Sequence, residues 1–185
     1  LITDLHDPYL MKDMDKAIAR IEQAIERNEK ILVYGDYDVD GTTAVALIYS
    51  FLKTFYQNLD YYLPDRYKEG YGLSEAGVQY AIQEKAHLLI CIDCGIKSND
   101  LIAFANNHTI DTIICDHHLP GEALPPAHAI LNPKQSDCPY PFKELCGCGI
   151  GFKLVQALQS KLNPGSDIHF QYLDWVAVAI AADIV

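Results

Sequence analysis

Short, almost wholly apolar runs set between stretches of helical periodicity constrain this chain more than any other feature. Ile31-Leu32-Val33-Tyr34, His87–Ile92, Thr112–Cys115 and Ala129-Ile130-Leu131 show no regular polar alternation. Each therefore reads as a strand covered on both faces. Asp60-Tyr61-Tyr62-Leu63, stopped by Pro64, is the remaining strand. Residues 12–29 place Met14, Ala17, Ile18, Ile21 and Ile25 on one face of a helix. Further helices are expected at Thr42–Phe55, at Ser74–Lys85 with Ser74 as N-cap, at Asn99–Asn107, at Gly149–Leu162 and at Ile168–Ile184. Strand and helix in repeated alternation predict an α/β fold: a parallel, doubly wound, Rossmann-like sheet of about five strands with helices on both faces.

Half of the 185 residues are apolar and 21% are charged, which suits one domain with one sizeable core and excludes disorder. The formal net charge of −11 excludes a module whose main task is to coat nucleic acid, since such a surface is basic. It does not exclude a metal enzyme, because bound divalent cations invert the local sign. No uninterrupted apolar stretch of about 20 residues is present, so no membrane span is expected. Leu1-Ile2-Thr3-Asp4 does not read as a secretion signal, and Ala181–Val185 stops inside an apolar run, so both ends read as boundaries within a longer protein. The six cysteines then read as reduced thiols of a cytoplasmic protein. Cys91-x-x-Cys94 with Cys146-x-Cys148 has the wrong second spacing for a zinc knuckle, and Asp93 between the first pair has a better use.

That use appears where the polar residues fall. In open α/β sheets ligands bind at the carboxyl ends of the strands. The first strand runs into Gly35-Asp-Tyr-Asp-Val-Asp-Gly41, the third into Asp93-Cys94-Gly95 and the fourth into Asp116-His117-His118. Singly these read as an acidic turn, a helix cap and a packed histidine pair; together they converge on one sheet edge. An EF-hand loop is excluded, because the position needing a Glu is Leu47. Gathered carboxylates repel one another unless a cation is present. Several carboxylates with one imidazole favour Mn²⁺ or Mg²⁺ over a structural zinc. Two such ions about 3.5–4 Å apart would activate water for in-line displacement at phosphorus.

Four segments, Gly35–Gly41, Cys91–Gly95, Asp116–His118 and Ala182-Asp-Ile-Val185, resemble the motifs of the DHH phosphoesterase superfamily. Within it the chain is most similar to the RecJ-type exonucleases, through Asp65-Arg-Tyr-Lys-Glu-Gly-Tyr-Gly72, Asn132-Pro-Lys134 and Gly147–Lys153. The resemblance implies a 5′→3′ exonuclease on single-stranded DNA, serving DNA repair and recombination. It also implies that residues 1–185 are one catalytic DHH domain, with DHH-associated and oligonucleotide-binding domains beyond it. Carried over by motif, Asp38 and Asp93, with Asp36, would hold one Mn²⁺. Asp40, Asp93, His117 and Asp183 would hold the second, Asp93 bridging. His118 would face the scissile phosphate, Asp116 would support the motif by hydrogen bonding, and Arg66 would contact phosphate. Partners implied for the whole protein are single-stranded DNA and a single-strand-binding protein or helicase.

Asp183 is the one carboxylate in an otherwise apolar stretch, Val176–Val185, so either the helix ends there in solvent or the Asp meets a cation. Gly147, Gly149 and Gly151 precede a helix, a pattern that fits backbone contacts to phosphate or close packing on the sheet equally. Two other functions fit the same motifs: hydrolysis of small phosphate substrates such as pyrophosphate or cyclic dinucleotides, and a non-catalytic DHH scaffold. Relatives with small substrates commonly carry a His upstream of Asp-x-Asp, where this chain has Tyr34 and Asp36. A scaffold would have lost a ligand, and none is missing.

Overall fold

The structure, a computed structural model, describes residues 4–183. Five strands, β1 (Ile31–Gly35), β2 (Leu59–Tyr62), β3 (Leu88–Ile92), β4 (Asp111–Cys115) and β5 (Ala129–Leu131), form one sheet in the order β2-β1-β3-β4-β5. Every pairing is parallel. Six helices accompany them: α1 (Met14–Glu26), α2 (Val39–Phe55), α3 (Glu75–Gln83), α4 (Asn99–Asn107), α5 (Gly147–Leu162) and α6 (Leu173–Asp183).

The uninterrupted apolar strands follow from two cores. Ile31, Val33, Leu88, Ile90 and Ile92 join the core built with α1, α2 and α5. Their neighbours Leu32, Tyr34, Leu89 and Cys91 join the core built with α3 and α4. Alternate residues thus face opposite helical layers, and neither parity can be polar. α1 is tied to the amino-terminal edge of the sheet by Arg20. This buried guanidinium pairs with Glu29 at 2.7 Å and Asp111 at 2.6 Å, and also donates to the His87 carbonyl.

Helix boundaries differ from the sequence reading: α1 and α3 are shorter by two or three residues at one or both ends, and three further differences have a local reason. α2 begins at Val39, not Thr42, because the Asp38 carboxylate caps it by accepting from the Gly41 N–H at 2.9 Å. α5 begins at Gly147, with the Cys146 thiol accepting from the Gly149 N–H. The last helical segment divides into a 3₁₀ turn, Ile168–Tyr172, and α6; Ile184, its expected end, lies outside the described residues, as does Val185. Ser74 caps α3 as expected, accepting from the Gly77 N–H. α6 lies against α2 and α5, yet only Ala179 of it is buried while Val178 and Ile180 are exposed. Among the described residues no helix is long and apolar enough to cross a membrane.

Candidate metal centre

Strand register assembles the site. Gly35 pairs with Ile92, Ile92 with Cys115 and Cys115 with Leu131. The next residues, Asp36, Asp93, Asp116 and Asn132, therefore leave the sheet side by side at its carboxyl edge. The strand order also reverses between β1 and β3, the place where such sheets open a ligand crevice. Asp36 and Asp93 stand at that switch point. Asp38 and Asp40 follow within the cap and first turn of α2, and Asp183 comes from the end of α6.

His117 is the hub. Its Nε2 lies 3.2 Å from Asp93 Oδ1, 3.6 Å from Asp183 Oδ2 and 3.9 Å from Asp40 Oδ2. Ligand atoms of Asp40, His117 and Asp183 lie within 4.8 Å of one another, and so do those of Asp93, His117 and His118. The expected Asp36 and Asp38 fall outside both groups. Asp38 lines the same small hollow as Asp40 and Asp183. Asp36 is fully buried, with Oδ1 accepting from the Tyr37 N–H at 2.7 Å. Asp36 Oδ2, Asp93 Oδ1 and His117 Nδ1 have no hydrogen-bond partner. Buried carboxylate oxygens left unmatched beside an imidazole are costly alone and fit a hard cation bound among them.

Electrostatics agree. Burial, joined by the charges of Asp40 and Asp38, pushes the Asp93 carboxyl up to about 10. Burial also raises Asp36 and Asp183. Asp93 does not cap the following helix, whose N-cap position is held by Ser98; its backbone is left-handed, φ 60°, and such strain concentrates at functional sites. α5 closes over this corner. The N–H groups of Gly147 and Cys148 donate to Asp40 Oδ2 at 2.6 Å and Oδ1 at 2.8 Å. The glycine loop therefore binds a carboxylate of the site. Its glycine is also required sterically: a Cβ on Gly147 would stand 2.5 Å from Asp93 Cβ. The sequence left that choice open.

His118 belongs to a second arrangement. Its Nδ1 donates to Asp116 Oδ1 at 2.7 Å, and Asp116 also accepts from the backbone N–H groups of His118 and Ile96. Burial alone would raise Asp116, but these hydrogen bonds and the His118 charge outweigh it and hold the carboxyl low. The bond to Asp116 in turn raises His118. Asn132 fixes the turn by donating to the His118 carbonyl. The other ring nitrogen, Nε2, shares a 2.8 Å hydrogen bond with the Tyr71 hydroxyl. Tyr71 escaped the sequence reading, although its Gly70-Tyr71-Gly72 setting, with both glycines at positive φ, marks a tightly turned loop beside a motif. Arg66 lies over the Tyr37 ring, 5.3 Å from its centroid, and Tyr37 packs edge-on against Tyr71. The expected phosphate contact thus sits on an aromatic cluster that reaches His118. All six cysteines are buried and free.

Comparison with known proteins agrees with this geometry. Residues 30–180 match the model of the DHH family, N-terminal domain. The chain is 42% identical over 182 residues to the single-stranded-DNA-specific exonuclease RecJ of Bacillus subtilis (strain 168), covering 98% of this chain and 22% of that protein. It is 36% identical over 185 residues to RecJ of Escherichia coli (strain K12), covering 95% of this chain and 32% of that protein. Among solved structures, exonuclease RecJ bound to manganese superposes with a TM-score of 0.84 at 29% identity, covering 94% of this chain and 44% of that one. The chain thus spans between about a fifth and a third of these curated relatives.

Proposed function

The chain belongs to the DHH family, and from that premise we propose that it is the phosphodiester-hydrolysing domain of a 5′→3′ exonuclease acting on single-stranded DNA. The observation that carries this reading is the meeting at His117 Nε2 of Asp93, Asp183 and Asp40, drawn from three separate segments. The likeness to RecJ proteins, one of them bound to manganese, supports both the substrate class and the metal. The reading makes this a Mn²⁺- or Mg²⁺-dependent catalytic domain of a longer protein, acting in repair and recombination in the cytoplasm. Partners of the whole protein, in this reading, are single-stranded DNA and a single-strand-binding protein or helicase.

Asp38 and Asp93, with Asp36 behind them, would hold one ion, and Asp40, Asp93, His117 and Asp183 the other. Such a pair, when bound, would supply an attacking water at neutral pH and would offset the charge that gathers on the phosphate oxygens. The chain's own groups do the rest. The α5 N–H groups hold Asp40 in one orientation, so its remaining lone pairs stay directed at the site. Asp116 fixes the His118 ring with Nδ1 protonated, so that Nε2, which meets the Tyr71 hydroxyl, can donate when the ring is charged to a phosphate oxygen that takes that hydroxyl's place. Arg66, pre-stacked on Tyr37, offers a planar fork to a neighbouring phosphate.

The test uses the full-length protein with Mn²⁺ and three substrates: 5′-labelled single-stranded DNA, pyrophosphate and a cyclic dinucleotide. Release of mononucleotides from the DNA, abolished by chelation and by Asp93→Asn, is the expected result. Hydrolysis of pyrophosphate alone would replace the exonuclease reading with a small-substrate one.

A further inference from the structure

Two hollows open among the motif residues. One, of about 140 Å³, is bounded by Asp38, Asp40 and Asp183 and belongs to the metal centre. The other, of about 310 Å³, is lined by Asp116, by His118 and by the segments that lead into α3 and α4, Tyr71–Leu73 and Cys94–Ser98. Its walls differ in kind. The Tyr71 ring forms one side, the buried Leu73 and Ile96 the floor, and Lys97 and Ser98 the rim. Lys97 is exposed and pairs with no carboxylate among the described residues. Ser98 precedes α4 without using its hydroxyl to cap it. Neither Lys97 nor Ser98 has a task in the metal chemistry, and Tyr71 reaches it only through its hydroxyl, at His118.

A phosphodiester has two arms, and a centre built of carboxylates and imidazoles receives only the phosphate. With His118 at the phosphate, one arm must leave on the Tyr71 side. The hollow there has the character of a small-ligand pocket: mostly apolar, with a few polar groups at one rim, and at the lower end of the usual range of about 300–1,000 Å³. That size admits one nucleoside and not a base pair. An aromatic face beside an exposed cation is the usual recipe for holding a base and its phosphate without reading sequence. Resting on the phosphodiesterase reading above, we propose that this hollow is a nucleoside subsite. The base lies against Tyr71 over Leu73 and Ile96, and Lys97 meets the adjoining phosphate.

The experiment compares substrates sharing one leaving group. The full-length protein with Mn²⁺ is given the p-nitrophenyl phosphates of thymidine, joined through its 5′ or its 3′ oxygen, and methyl p-nitrophenyl phosphate. The wild type should cleave the better thymidine ester with kcat/KM at least about tenfold above the methyl ester, given that aromatic stacking alone contributes about 1–3 kcal/mol. Ser98→Tyr, which fills the hollow, and Lys97→Glu, which reverses its rim, should erase most of that preference through KM. Both should leave methyl ester hydrolysis and Mn²⁺ affinity unchanged. Equal use of the two ester types by the wild type, or a preference that survives both substitutions, would overturn the subsite. If no ester is cleaved, calorimetry with thymidine monophosphate decides. Binding that Ser98→Tyr abolishes keeps the subsite and removes the hydrolase reading; absence of binding removes the subsite.

Discussion

Asp93 shows how a single residue couples stability, protonation and metal. Burial and the neighbouring carboxylates raise its carboxyl from 3.8 to about 10. The folded, metal-free protein therefore keeps a proton that the unfolded chain releases above its ordinary value. Between those limits the fold is penalised, and the penalty grows as pH rises. A cation reverses the sign by taking the place of that proton. Mn²⁺ binding is thus expected to release a proton and to tighten with pH by up to about tenfold per unit. Calorimetry in two buffers of different ionisation enthalpy checks this; a binding heat independent of buffer would contradict it. Asp93→Asn removes the charge conflict, so it should stabilise the metal-free protein by about 0.5–2 kcal/mol while abolishing the Mn²⁺-dependent rise in Tm. Tyr71 admits an equally narrow test. Tyr71→Phe keeps the ring and loses the hydrogen bond to His118, a contact worth about 1 kcal/mol. The expected outcome is a fall in kcat of about fivefold with Mn²⁺ affinity unaltered, together with a change in the His118 ring ¹⁵N shifts. Activity and shifts matching the wild type would show that the hydroxyl does not orient His118.

At the scale of elements, β1, β3, β4 and β5 were legible because both their faces are covered, which leaves an apolar run to read, whereas the half-exposed edge strand β2 was marked by its tyrosines and the Pro64 that stops it. Helix starts were less so. The first turns of α2 and α5 are rich in Asp, Gly and Cys, residues that give apolar periodicity little to read, and both helices begin earlier than that periodicity suggests. The polar residues that hide those starts are also the ones that build the site. Asp38 caps α2, Asp40 occupies its first turn, and the first N–H groups of α5 hold Asp40. The glycines of α5 looked alike in sequence, and the structure separates them. A methyl group at Gly147 would collide with Asp93, whereas at Gly149 it would meet Leu145 at 3.4 Å, an ordinary contact. Gly147→Ala should therefore cost about 1–3 kcal/mol and weaken Mn²⁺ binding. Gly149→Ala should be neutral or stabilise by up to about 1 kcal/mol, because alanine restricts the unfolded chain. Thermal unfolding of the two variants, with and without Mn²⁺, tests the distinction; equal losses would mean that α5 does not press on Asp93.

For the whole molecule, the convergence of three strand ends was readable as soon as the sheet was taken to be parallel. The order of the strands was not. Which strands lie side by side is decided by crossovers whose lengths carry little information, so the switch point between β1 and β3 appears only in the folded chain. Charge, by contrast, is visible from the start and bears on what the domain does alone. Twenty-five acidic residues face 14 Lys and Arg, and carboxylates crowd the very edge where, on the proposed reading, a polyanion arrives. Bound cations relieve the centre itself but not the surrounding surface. Most of the affinity of nucleic-acid-binding proteins comes from neutralised backbone phosphates. The relatives that act on single-stranded DNA are three to five times longer than the part matched here. On the proposed reading of the 185 residues as the catalytic domain of a longer exonuclease, this chain produced alone is therefore expected to bind Mn²⁺ and to hydrolyse methyl p-nitrophenyl phosphate. It should degrade long single strands at least roughly 100-fold more slowly than the full-length protein at equal salt, with a shallower dependence of binding on salt because fewer phosphates are neutralised. Processive digestion by the domain alone, with a steep salt dependence, would place the DNA grip on this acidic surface after all, with Lys97 and Arg66 as the cations to examine beside the centre.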